Sequence, residues 1–228
     1  MISSFYLLGL SLFATPAPAS APSTETPTIA VLYFDYSGND ETLMVLKKGL
    51  AQMLISDLSV LDGVRIVERD RLEAVYAEQK LTSTGKVDKA MAAKLGKLLG
   101  ARYLILGGYF DLVGALRADA RVVDVETGRV LHSVGSTGTA GEFMGLEEKL
   151  SAELSKALAT VVKIGVASGR SAPSAPKTLK TKTAVRYSQA LDATDRGDKP
   201  RAKRELEAVV KEEPEFRLAA NDLKKLMQ

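Results

Sequence analysis

The chain has no cysteine and no tryptophan, and its only histidine is His132. Without cysteine no disulfide can form, so an exported form must be held together by its hydrophobic core. The lipid anchor of bacterial lipoproteins is built on a cysteine and is therefore not expected. A zinc site of the usual ligand types needs cysteine or several histidines, and the composition supplies neither.

Sequence motifs for catalysis are also missing. Gly107-Gly108 lacks the third glycine and the following helix that would cradle a phosphate. No serine lies in a G-x-S-x-G turn, and a lone histidine within a strand is typical of surface or packing positions. An acid–base pair within Glu68–Arg71 is conceivable, but local salt bridges and helix capping explain this run more simply. The sequence predicts no catalytic residue, no metal ligand, no bound cofactor and no enzyme.

The N-terminus has the pattern of a secretory signal peptide. Ile2–Phe13 is apolar and Ala17–Ser20 offers an A-x-A-like cleavage site, which predicts a signal peptide over residues 1–19 and a periplasmic location. Residues 20–27 then form a flexible leader. Because residues 1–4 contain neither lysine nor arginine, a disordered tail stays an alternative. No second apolar run reaches the ~18 residues of a membrane helix, so no direct membrane insertion is expected.

Residues 28–100 alternate between apolar strands and amphipathic helices. In the Leu-rich helix the apolar stripe leaves Lys47 and Lys48 off the buried face. Asp70 and Glu73 predict a capping box, and Gly100 a helix end. The predicted elements are a strand at Thr28–Phe34, a helix at Glu41–Leu61, a strand at Val64–Val67, a helix from Asp70, a chain break at Thr82–Gly85 and a helix from Asp88 to Gly100.

Three strands joined by short turns follow, within Arg102–Ser136. Gly114-Ala115 and Glu126–Gly128 supply the turns, and Glu142–Val162 forms a covering helix. This order predicts an α/β (α+β) sandwich over residues 28–167, in which a mixed sheet of about five strands carries helices on its faces.

Residues 168–182 have the composition of a linker, and residues 183–228 predict a small all-α unit. That unit can be laid on a 34-residue tetratricopeptide (TPR) template, with Asp195–Asp198 as the turn between its helices. Arg186 and Gln189 stand where the template has tryptophan and leucine, so a plain helical hairpin stays an alternative. One repeat cannot bury a continuous core, so it should dock on the first domain, on another copy or on a partner. The template positions that match are Ala190, Gly197, Ala202, Leu206 and Pro214.

Several segments together resemble the curli-secretion-channel (CsgG-type) family and the related amino-terminal domain of TolB-type proteins. They are Ile29–Phe34, Val67–Arg69 with Glu78-Gln79, Ala93–Gly96 through Ala101–Gly107, and Val122–Gly128. The resemblance spans about residues 28–162. It implies a periplasmic domain that works without catalysis in the assembly or export of surface structures.

Two departures from the family limit what the resemblance implies. Pore-forming members carry a lipid-anchored cysteine and two long amphipathic hairpins, each roughly twice the ~9–11 residues of a membrane strand. Here the corresponding connections are only Gly114-Ala115 and about Thr137–Gly141, so pore formation is not expected.

The sequence therefore predicts an assembly or adaptor protein of the cell envelope, with curli-type secretion as the related process. Its expected partners are other envelope or secretion proteins, and nucleic acid is not among them because the net charge is only +3. The alternative is a soluble subunit of a ring-forming vestibule beneath an outer-membrane channel, which would make the chain a homo-oligomer.

Overall fold

The computed structural model describes residues 26–79, 88–139, 141, 143–163 and 179–228. The predicted signal peptide, most of the leader and of the linker, and the predicted break at Thr82–Gly85 lie outside these residues.

The centre of the fold is one mixed sheet with the strand order β3-β1-β4-β5-β6, to which β2 adds beside β4. β1 runs parallel to β3 and β4, whereas β4, β5 and β6 form an antiparallel meander. The prediction of a mixed sheet is confirmed; six strands stand where about five were expected, because Asp35–Tyr36, directly after the first apolar run, pairs with β4 as a separate strand, β2. The strands are β1 (Thr28–Val31), β2 (Asp35–Tyr36), β3 (Arg65–Ile66), β4 (Tyr103–Leu112), β5 (Ala115–Asp124) and β6 (Val130–Thr139).

Helices cover both faces of this sheet. On one face Tyr109 of β4 donates a hydrogen bond to the carbonyl of Leu43, and the long helix α5 packs over β5 and β6. On the other face α4 packs on β4 near Val125. The helices of the described residues are α1 (Glu41–Met44), α2 (Leu46–Leu58), α3 (Arg69–Glu78), α4 (Lys89–Leu99), α5 (Phe143–Val162), α6 (Thr181–Asp195), α7 (Lys199–Glu212) and α8 (Arg217–Leu226).

Two of the three helix ends predicted from the sequence have the predicted capping residue, and the third does not. Asp88 accepts a hydrogen bond from the Met91 amide and begins α4, and Gly100 ends it with a positive φ of 63°. The predicted capping box at Asp70 is wrong. α3 begins at Arg69, after Glu68, with no side-chain cap, and Glu73 turns inward to accept a hydrogen bond from Tyr33.

The β4–β5 turn lies at Val113-Gly114, one residue before the predicted position. Both residues have a positive φ, 47° and 79°. Glycine accepts this conformation freely, while a β-branched valine does so only with strain. The Glu126–Gly128 turn stands as predicted, and Gly128 also has a positive φ.

The C-terminal segment is a compact helical unit of α6, α7 and α8 that packs on α2. Its first helix begins at Thr181, two residues before the predicted boundary, and the α6–α7 turn contains Gly197 at a φ of 75°. One continuous hydrophobic core includes residues of both the sheet domain and this unit. The sequence predicted that this unit docks on the first domain, on another copy or on a partner. In the structure it packs on the first domain.

Candidate interaction surfaces

Residues singled out as possible chemical groups are scattered in the structure. His132 is exposed on β6, and Gly107 packs against Phe34, whose ring lies where a Cβ would stand. Among the described residues no group of histidine, aspartate and glutamate side chains is arranged to hold a metal ion. Within the same ranges, no helix has the length and apolarity to cross a membrane.

Arg69, from the charge-dense run at the start of α3, is buried, with 4% of its surface exposed. Its Nη1 lies 2.8 Å from Asp195 Oδ1 at the end of α6, whereas its local partner Asp70 is 3.3 Å away and exposed. Burial alone would lower the pKa of Arg69, but the charge of Asp195, the hydrogen bond to it and the interaction with Tyr33 together outweigh burial and raise the pKa. The local salt bridge expected from the sequence exists, yet the stronger contact spans 126 residues.

Lys48 is the second buried cation at this junction. Its Nζ lies 2.7 Å from Asp195 Oδ2, 3.1 Å from Asp192 Oδ1 and 3.4 Å from Glu73 Oε1. These carboxylates offset the burial that would otherwise lower the pKa of Lys48, and the pKa is raised. The prediction that Lys48 lies off the buried face of its helix is wrong, because α6 covers that side. We call Lys48, Arg69, Glu73, Asp192 and Asp195 the docking network.

Beside the docking network, α2 and α6 approach closely at Gly49. A Cβ on Gly49 would lie 2.2 Å from Ser188 Oγ. Ser188 is fully buried and its hydroxyl donates to the Ala184 carbonyl over 2.9 Å. Glycine at this position is what allows the two helix backbones to come together.

A different buried polar pair joins α2 to α5. Glu147 is 1% exposed, and Oδ1 of Asp57 and Oε1 of Glu147 are buried with no hydrogen-bond donor among the described residues. Burial raises the pKa of Asp57 to about 6, and burial together with the charge of Asp57 raises the pKa of Glu147 well above its usual range. A single proton between the two carboxyl groups would satisfy both oxygens. We call Asp57 and Glu147 the carboxyl pair.

The sheet face opposite α5 is partly open. A hollow of about 220 Å³ beside α4 is lined mainly by apolar side chains, including Leu106, Val123 and Val130. A second hollow of about 480 Å³ shares Leu106 and Arg121 with the first and continues to Phe110. The sequence holds a signal for this face: in β5, Arg117, Asp119 and Arg121 alternate with buried residues. The sheet therefore presents a continuous apolar and charged surface.

Exposed apolar side chains lie at two places on the meander. Leu112 and Val113 at the β4–β5 turn are 65% and 97% exposed. Val130 and Leu131 at the start of β6 are 52% and 39% exposed. Such residues outside the core are typical of protein contact surfaces when they lie next to a groove.

Residues 14–112 match the model of the family described as curli production assembly/transport component CsgG. The resemblance stated from the sequence is thereby confirmed over this range. The match ends with β4 and does not extend through β5, β6 and α5. A search of curated proteins found no match.

Solved structures with a similar arrangement are distant. The C-terminal domain of LpoB from Salmonella enterica is 15% identical at a TM-score of 0.42, over 50% of this chain and 83% of that one. Lipoprotein GNA1162 from Neisseria meningitidis is 16% identical at 0.43, over 59% and 99%. A PelC dodecamer from Paraburkholderia phytofirmans is 17% identical at 0.36, over 61% and 94%. Likenesses this remote give no information about function.

Proposed function

We propose that this chain is an exported, non-catalytic adaptor that works in the periplasm during assembly of the cell envelope or of a surface structure. The observation that carries the proposal is the match of residues 14–112 to the curli assembly/transport family. Envelope or secretion proteins are the partners that this assignment favours.

The surfaces of the protein support a binding role. The open sheet face joins apolar side chains to Arg121 and Asp119, which is the mixture found in protein contact surfaces. The helical unit is fixed on the sheet domain by buried charges, so both parts present their surfaces in one defined arrangement. A binding protein needs this rigidity more than it needs reactive groups.

Site-specific photo-crosslinking in the producing cell tests the proposal. A crosslinking residue at Phe110 on the open face should capture one defined envelope protein, and the same residue at Lys211, exposed on α7, should not. Release of the chain by osmotic shock should place it in the periplasm. Retention in the cytoplasmic fraction, or equal capture at both positions, would contradict the proposal.

The vestibule alternative predicts a different result in sedimentation. A ring requires two complementary patches on opposite sides of each subunit, so the mature chain would form one discrete species of high order. A monomer or a dimer at all concentrations would leave the adaptor proposal standing and remove the ring.

A further inference from the structure

The two edges of the sheet differ strongly in length. One edge is β3, which has only two residues, and the other is β6, which has ten. Among the described residues no strand pairs with the outer side of β6. At ~3.3 Å per residue, residues 130–138 of β6 offer an edge about 30 Å long.

β6 also lacks the usual protection of an edge strand. Natural edges carry lysine or other charges, proline or short strands, which prevent pairing with another chain. Val130–Thr139 contains no aspartate, glutamate, lysine, arginine or proline. A bulge opposite Val122 and Val123 disturbs the strand only at its beginning. Ser133, Gly135 and Thr137 are exposed and small, so another backbone can approach closely.

We propose that two copies of this chain associate through their β6 strands, antiparallel, as one continuous sheet about a two-fold axis near Gly135. The inference does not depend on the proposed function. A second β6 is an uncharged strand of matching length, so the pairing brings no like charges together. It also brings the exposed Val130 and Leu131 close to the far end of the second strand.

The short β3 edge explains why the association stops at two copies. Head-to-tail growth would pair β6 with β3, and two residues cannot match ten. An isologous β6–β6 contact uses the same edge in both copies and leaves no long edge for a third.

A charged edge tests the proposal by analytical ultracentrifugation of the mature chain. We expect a dimer for the unaltered protein and a monomer for Ser133→Glu/Thr137→Glu, since four carboxylates would then meet in the seam. Lys211→Glu changes the net charge by the same amount on α7 and should remain dimeric. A monomeric unaltered protein at every concentration would overturn the proposal, and so would a doubly substituted protein that stays dimeric.

Cysteine crosslinking tests the register and does not require a charged strand to fold. The chain has no cysteine of its own, so an introduced thiol is unique. A two-fold axis at Gly135 places Ser133 of one copy beside Thr137 of the other. A mixture of Ser133→Cys and Thr137→Cys chains should form a disulfide dimer faster than Lys211→Cys chains at the same concentration. Equal rates for the mixture and for Lys211→Cys would rule the contact out. Protection from exchange of the β6 amides that point away from β5, in a purely monomeric sample, would show instead that a segment of the same chain covers the edge.

Discussion

Helix α2 carries two buried polar clusters that are built on opposite electrostatic principles. At the docking network, Lys48 and Arg69 meet three carboxylates, so the buried cations are compensated. At the carboxyl pair, Asp57 and Glu147 are both acidic, and although Ser151 hydrogen-bonds to Asp57, no cation among the described residues compensates their charges. The buried charges of the docking network are therefore compensated at neutral pH, whereas those of the carboxyl pair are compensated only while a proton is bound.

Removing the anion that is shared within the docking network should have the largest effect on stability. Asp195→Asn removes the charge of the carboxylate that Arg69 and Lys48 share, and leaves the exposed Asp70 as the carboxylate partner of Arg69. We expect a loss of about 3–5 kcal/mol in the free energy of unfolding, because unpaired buried charges are costly. Urea denaturation followed by circular dichroism measures it. If the free energy of unfolding falls by less than the loss of an exposed ion pair would cause, the docking network contributes little to stability.

Tightening the same helix contact without changing a charge separates packing from electrostatics. Gly49→Ala pushes a methyl group against Ser188 Oγ, and we expect a loss of about 1–2 kcal/mol after the gain in helix propensity. The double variant Gly49→Ala/Ser188→Ala removes that oxygen and should recover most of the stability. Thermal and urea melts of both variants measure the effect; equal stability of the single and double variants would contradict it.

In contrast to the compensated charges of the docking network, the carboxyl pair predicts that stability falls as the pH rises. The pKa of both carboxyl groups is higher in the folded than in the unfolded protein, so the folded state binds more protons from about pH 4 up to and beyond the Asp57 pKa of about 6. Their contribution to the free energy of unfolding therefore falls as the pH rises through this window. Glu147→Gln should gain about 1–2 kcal/mol at pH 7 and almost nothing at pH 4. Urea melts at both pH values measure the difference, and an equal difference at the two would refute the assignment.

An exposed ion pair provides the reference for both clusters. Glu153 and Lys156 lie 2.7 Å apart on the surface of α5. Glu153→Gln should change the free energy of unfolding by no more than about 0.5 kcal/mol. The same urea melts serve, and a larger effect would show that the surface of α5 is coupled to the core.

Much of the fold could be predicted because it depends on local patterns. The meander, the stripe of α5, the Asp88 cap and the Gly100 end all follow from residues close together in sequence. The docking network could not be predicted, since periodicity reports the apolar face of a helix and says nothing of which helix covers the other side. Lys48 and Asp195, which contact each other, are 147 residues apart in the sequence.

One member of the carboxyl pair, Glu147, could have been found from the sequence. Glu147 follows Phe143 by four residues and Leu146 by one, so it falls within the apolar stripe of the same helix. A polar residue in such a position indicates a buried group that needs a partner. What the sequence does not contain is the identity of that partner, because Asp57 reaches it only when α2 packs against α5.

The separation of the docking contacts along the chain also orders the events of folding. Contacts across 126 and 147 residues close very long loops, and such contacts form after local ones. We expect that, until α6 docks, Lys48 and Arg69 are exposed to solvent beside Glu73. Burial of these two cations would then mark the step at which the C-terminal helices join the sheet domain.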